Sequence, residues 1–247
     1  MIKKFEIKSH DGPARLGKLN GEITPKLFNL KTMKISPSEG SSYNIDKPIA
    51  KLNVKETLKK AEENKDKCEF AVIQGSKYID LRVKCAKELE KIGYNGFLIA
   101  NSDELLLHPR DLVNLIVTLK KELNPTSFLI FTFAEPSFMP LLTYMGIDGF
   151  LIESAKYYSY LNDLMTPTKT YDLDEYALFD ELSRDKLEQY NLKTLDFVIR
   201  EIQAHIKNKS LRNLVEERSI TTPQNVSSLK ILDKNYMEYL LENTQLY

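Results

Sequence analysis

Polar groups stand where apolar, strand-like runs end: Gln74-Gly75 closes Phe70-Ala-Val-Ile73, Asn101 follows Phe97-Leu-Ile-Ala100, and Glu153 follows Gly149-Phe-Leu-Ile152. In parallel α/β architectures the chemistry sits just beyond strand C-termini, so these groups are the first candidates for a site. Gln74-Gly75 suits contact with a planar base, although a strand-end amide also serves as a simple cap. His108-Pro-Arg110 could reach a phosphate, but reads more simply as a helix entry. Tyr157-Tyr158-Ser-Tyr160 could stack on bases, and is more economically a packing face. Asp148 and Asp103-Glu104 suit turns and helix N-termini, while Lys59-Lys60 and Lys207-Asn-Lys209 are ordinary solvated positions.

The elements that must position these groups follow from periodicity. Strands are expected over 69–74, 96–100, 127–133 and 147–152, alternating with helices over 79–92, 110–122 and 137–145. Near-continuous apolar strands with helical crossovers imply a parallel sheet covered on both faces. Ahead of them, residues 2–30 read as β-rich, from the alternating Lys4-Phe-Glu-Ile-Lys8 through turns at His10-Asp-Gly-Pro13 and Asn20-Gly21 to Ile23-Thr-Pro-Lys-Leu-Phe28. A surface loop is expected over 36–48, then a helix over 54–64. Beyond about residue 156 the chain turns helical, Tyr-rich and charged. Leu195, Val198, Ile199, Ile202 and Ile206 share one helix face, and further helices are expected over 211–218 and 223–241.

Composition narrows the function classes. Lys+Arg and Asp+Glu both number 35, so nothing predicts generic affinity for nucleic acid; contact with RNA would need a local basic patch or a partner. Two cysteines without paired spacing, and three histidines, predict neither a structural metal nor a disulfide framework. The start of the chain is too polar for a signal peptide, and no apolar run nears the ~18 residues that span a bilayer. A soluble, cytoplasmic protein with no membrane contact and no cofactor is expected.

Several stretches, in order, resemble the tRNA-guanine transglycosylase family, most closely the transglycosylase-like N-terminal domain of archaeosine synthase. They are Phe5-Glu-Ile-Lys8 with His10-Asp-Gly-Pro-Ala-Arg-Leu-Gly-Lys-Leu19 and Ile23-Thr-Pro25, then Ala71-Val-Ile-Gln-Gly75 with Asp80-Leu-Arg82. Gly146-Ile-Asp148, Ser210-Leu-Arg-Asn-Leu-Val-Glu-Glu-Arg218 and Leu229-Lys-Ile-Leu-Asp233 complete the set. The resemblance implies an α/β fold: a degenerate or incomplete (β/α)8 TIM-like barrel with an N-terminal β-hairpin over 1–160, and a helical region over 161–247. The interval 30–69 is too short for three βα units of roughly 30 residues each, so about five of eight barrel strands are expected. Open sheet edges would then invite a partner or a covering segment.

Departures from the family pattern bear on activity. The base-recognising D-S-G-G/T-F-Q stretch is missing, and Ala100-Asn101 stands in place of the G-G of the second base-binding loop. Without gaps the nucleophilic Asp aligns with Leu151; a two-residue slip offers Glu153, one methylene longer. The zinc ligands are missing, with Tyr190-Asn191 at the H-N position. The resemblance therefore implies a non-catalytic subunit acting on archaeosine formation in the tRNA D-arm, from preQ0 to archaeosine. It would position tRNA, directly or through a partner, or dock a separate subunit carrying the amino-transfer and PUA domains; homo- or hetero-oligomerisation stays open. Gln74, Gly75 and Asn101 would be its base-contacting residues. Two alternatives remain: an active preQ0 transglycosylase using Glu153, and a barrel-derived protein-interaction module.

Overall fold

The computed structural model describes residues 5–178 and 182–242; Lys4, expected at the start of the first strand, lies outside them. The chain opens with an antiparallel sheet of β1 (Phe5–Asp11), β2 (Ala14–Leu19) and β3 (Glu22–Thr24). Gly12, Asn20 and Gly21 take positive φ at the two turns, which is what Gly and Asn permit. The run expected as one strand over 23–28 is divided at the cis Thr24–Pro25 bond, beyond which β4 (Lys26–Phe28) joins a different sheet. Then follow α1 (Lys47–Asn64), β5 (Ala71–Ile73), α2 (Ile79–Ile92), β6 (Gly96–Ile99), α3 (Ser102–Leu106), α4 (Pro109–Glu122), β7 (Phe128–Phe131), α5 (Met139–Tyr144), β8 (Gly149–Leu151) and α6 (Glu153–Tyr160). A hairpin of β9 (Asp163–Met165) and β10 (Thr170–Asp172) leads to α7 (Arg184–Lys207), α8 (Leu211–Ser219), α9 (Pro223–Asn235) and α10 (Met237–Glu242).

Local chemistry sets these boundaries. Pro109 and Pro223 fall in the first turns of α4 and α9, where a missing N–H costs nothing. Helix α2 stops at Gly93, whose φ of 117° lets its N–H return to Glu90 O while Tyr94 N–H returns to Leu89 O. The helix expected over 223–241 is broken at Tyr236, and the Tyr157–Tyr160 run forms the second half of α6.

The five parallel strands lie in the order β4-β8-β7-β6-β5. The first strand pairs with the last and the others follow backwards, which is the circular order of a barrel lacking its second, third and fourth strands. The sheet closes through side chains. Phe28 on β4 and Phe70 beside β5 meet edge to face at 6.0 Å, and Phe28 meets Phe128 at 5.6 Å. Gly149 makes room for this: a Cβ there would lie 2.5 Å from the Phe28 ring. Residues 29–35 run beneath the gap, and Ile35 bridges Phe70 in parallel register, with Ser36 N–H donating to Phe70 O and Glu69 N–H to Lys34 O. Leu98, Ile130 and Leu151 complete this inner cluster, and the helices bury the sheet's other face.

At the N-terminal ends of the strands, Arg15 of β2 is buried. Its Nε and Nη2 donate to Asp148 Oδ1 and Oδ2 at 2.8 and 2.5 Å, Nη2 donates to Ser127 O, and Nη1 donates to Pro125 O. Asp148 Oδ2 also accepts Leu129 N–H at 3.0 Å. Asp148 thus joins two sheets instead of capping a turn. Arg15→Met should destabilise the fold by about 3–5 kcal/mol, because it strands a buried carboxylate. Urea denaturation checks this, with the Arg15→Met/Asp148→Leu pair expected to recover much of the loss.

Candidate functional site

Gln74 is buried at the end of β5; its Nε2 donates to Ser38 Oγ at 3.4 Å, and its Oε1 is buried without a hydrogen-bond partner. Gly75 follows at φ 145°, where a Cβ would lie 2.7 Å from Arg82 N and 2.8 Å from Arg82 Cγ. Its lack of a side chain therefore serves α2, which it allows to approach. Arg82 lies within, donating from Nε to Ser76 O, from Nη1 to Ala100 O at 2.8 Å and from Nη2 to Asn101 Oδ1 at 3.3 Å. Burial lowers its pKa to about 10, against weaker opposite pulls from Tyr43 and Cys85, so it is a buried cation held by carbonyl oxygens. Asn101, at φ 52°, turns its Nδ2 to Ser41 O at 2.9 Å.

The surface loop expected over 36–48 folds over these groups. Ser41 Oγ meets Ser76 Oγ at 2.9 Å, and Lys77 N–H donates to Tyr43 O. The Tyr43 ring stacks on His108 at 4.8 Å, its hydroxyl donating to Asp111 Oδ2 at 2.6 Å, while Tyr78 Oη donates to Ile45 O. Gln74, Gly75 and Asn101 are thus brought together around Arg82, and Gln74 and Asn101 spend amide donors on the chain itself.

Glu153 stands elsewhere. It opens α6 after β8, and two strands separate β8 from β5 in the sheet order. Its Oε1 accepts Leu30 N–H at 2.9 Å, while Oε2 is buried without a partner. Leu151, the ungapped position, is buried in the inner cluster and carries no chemistry. Hydroxyls at the intervening strand ends are already engaged: Ser154 Oγ accepts Ala134 N–H and donates to Thr132 O, and Ser102 Oγ accepts Phe133 N–H. Asn191 braces the backbone, accepting Met165 N–H and donating to Asp163 O.

Several carboxylates gather around the β9–β10 hairpin, with Lys156, Lys169 and Arg184 over neighbouring Tyr rings. Burial, with the charges of Asp172, Glu135 and Asp174, raises Asp163 to about 6. Tyr157 donates to Asp103 Oδ2 at 2.9 Å and is pushed up to about 12 by burial, by that bond and by the charges of Asp103, Glu104 and Asp163. Of its neighbours, Tyr158 is buried and Tyr160 is exposed, with Arg184 over its ring at 4.6 Å. Among the described residues no group of three or more His, Cys, Asp or Glu can hold a metal ion, and burial pushes the Cys85 thiol up to about 11. No described helix is long and apolar enough to cross a membrane.

Two elements of this arrangement escape sequence reasoning. One is Arg82, whose signal was available: it shares the buried face of α2 with Leu81, Cys85, Ala86 and Leu89, where a charge is out of place. The other is the covering segment, whose Ser, Gly and Asn residues look like any exposed loop.

The queuine tRNA-ribosyltransferase family profile matches residues 38–186. The chain is 31% identical over 212 residues to the tRNA-guanine(15) transglycosylase of Thermococcus kodakarensis, covering 76% of this chain and 36% of that protein. It is 29% identical over 233 residues to the transglycosylase of the same description from Methanocaldococcus jannaschii, covering 80% and 35%. It is also 27% identical over 154 residues to the archaeosine synthase of that organism, covering 62% and 24%. The chain thus spans about a third or less of the length of these relatives. With the strand order and the N-terminal sheet, these matches place it: the chain belongs to the queuine tRNA-ribosyltransferase family and is related to archaeosine synthase.

Proposed function

We propose that this chain is a transglycosylase-like subunit in cytoplasmic tRNA modification that no longer exchanges bases. It acts in archaeosine formation on the D-arm, at the conversion of preQ0 to archaeosine, by positioning tRNA or by docking a separate subunit that carries the amino-transfer and PUA domains. The barrel portion to about residue 160 presents the surface, and the helical region from 161 onward braces it. The observation that carries this reading is the segment 36–46, whose Ser38 and Ser41 occupy the amides of Gln74 and Asn101. A base entering there would have to displace the chain's own polypeptide.

One observation supports a second reading, base exchange by Glu153: its carboxylate follows the last parallel strand, and its Oε2 has no hydrogen-bond partner among the described residues. Nucleoside mass spectrometry of bulk tRNA from a strain lacking the gene separates the two. Loss of archaeosine with accumulated preQ0 is expected for the non-catalytic subunit. Loss of archaeosine with guanine in its place would overturn it in favour of exchange; Glu153→Gln should then abolish exchange in a preparation that first shows it. Unchanged archaeosine would sink both.

The carboxylates around Asp163 have a consequence for stability. The folded-state pKa of Asp163, about 6, lies above its ordinary value of 3.8, so the folded chain binds this proton more tightly than the unfolded one. Stability from this group is full at low pH and is lost as pH rises from about 4 through about 6. Asp163→Asn should therefore stabilise the protein at pH 7, by ~1 kcal/mol once solvent screening of a half-buried group is allowed for. The gain should vanish at pH 4 in parallel chemical denaturations.

A further inference from the structure

A cavity of about 410 Å³ opens on the opposite end of the sheet, between the β1–β2 hairpin, the end of α4 and α10. His10, Arg15, Lys120 and Lys121 line it, with Glu242 the one acidic residue among its described lining. Lys120 is partly buried in the last turn of α4, and its stem lies across Gly146, where a Cβ would come within 3.0 Å of Lys120 Cε. Its Nζ makes no hydrogen bond or ion pair among the described residues and feels only burial and the charges of Asp148 and Arg15. Asp148, the nearest buried carboxylate, is already committed to Arg15 and to Leu129 N–H. Arg15 makes four hydrogen bonds, which leaves one of its five guanidinium hydrogens, on Nη1, uncommitted.

We propose that this cavity binds a phosphoryl group, held by Lys120 together with His10, Lys121 and the remaining Arg15 donor. The number of donors selects the ligand class: Lys120, Lys121, His10 and the remaining Arg15 N–H surround one cavity, and a phosphoryl group offers three strong acceptor oxygens where a carboxylate offers two. The volume lies in the range of small-molecule sites, roughly 300–1,000 Å³. The cations also disturb one another in the way an unfilled anion site would: burial pushes Lys120 down to about 8, with Asp148 opposing and Arg15 adding to the fall. His10 is lowered by burial, then by Arg15, Lys209 and Lys120, with Asp148 opposing. An oxyanion would relieve both. Glu242 and Tyr239, whose hydroxyl donates to Met145 O, complete the polar groups facing it from α10.

The full chain is titrated calorimetrically at pH 7 with sodium phosphate, guanosine 5′-monophosphate and bulk tRNA, and the His10 ring is followed by NMR. The expected result is that phosphate binds and raises the His10 pKa while His108 and His205 stay unchanged. Lys120→Met should weaken binding about tenfold or more, and Lys87→Met, at a surface lysine, should leave it intact. Phosphate alone binding identifies a free oxyanion as ligand. A tighter nucleotide identifies a nucleotide site. Loss of tRNA affinity in Lys120→Met identifies a backbone phosphodiester. Each of these supports the site. An unmoved His10 resonance at tens of millimolar phosphate, or equal affinities in Lys120→Met and the wild type, would overturn it. Lys120→Gln serves in place of Lys120→Met if the latter melts differently from the wild type.

Discussion

The buried pair of Arg15 and Asp148 is the contact on which the architecture turns. Arg15 comes from the antiparallel sheet, Asp148 from the start of the last parallel strand, and the same guanidinium takes the carbonyls of Pro125 and Ser127 ahead of β7. One side chain therefore fixes where two sheets meet and where two neighbouring strands begin. The Phe5 ring lies 4.9 Å from the Arg15 guanidinium and meets Phe128 edge to face at 5.1 Å, so the pair is sealed from water on the side of the inner cluster. A buried ion pair is a costly way to gain stability, but a strict way to fix register, since any slip would leave both charges unpaired.

Above that anchor, the loss of three strands is absorbed by ring volume. A sheet of five strands has too little circumference to enclose a full barrel core, yet the rings of Phe28, Phe70 and Phe128 fill the reduced interior and bring its two edges into contact. Gly149 is the complement of Phe28: the smallest residue on β8 lies under a large ring of β4, and together they set how tightly the sheet can curl. The C-terminal helices belong to the same body. Helix α7 packs on α6 and along the first strands, and Gln203 donates to Pro25 O at 2.7 Å beside the division between sheets.

Much of this was legible in the residues. The parallel strands announced themselves as apolar runs because both of their faces are buried, and the shortness of the interval 30–69 foretold a barrel with about five strands. Motifs far apart in the chain, Ala14-Arg-Leu-Gly17 and Gly146-Ile-Asp148, could be matched to a family without revealing that Arg15 and Asp148 touch. Periodicity describes one element at a time, and this contact joins residues 133 positions apart. The covering of Gln74 and Asn101 was hidden for the same reason. Nothing in Ser38-Glu-Gly-Ser41 says that its hydroxyl and carbonyl will meet strand-end amides. The β9–β10 hairpin, three residues to a strand, was too short to leave a signature.

The bridge between Ile35 and Phe70 has a meaning beyond closure. Removing strands from a barrel exposes rows of unpaired backbone donors and acceptors, and such rows recruit other chains into fibres and precipitates. Here the segment 34–36 takes up the amides of Glu69 and Phe70 and the carbonyl of Phe70, so the flank of β5 is partly spent before another molecule can reach it. A few residues left between the first and fifth strands thus act as a safeguard against aggregation. That safeguard leaves a shortened barrel with less free backbone on which other chains could be templated.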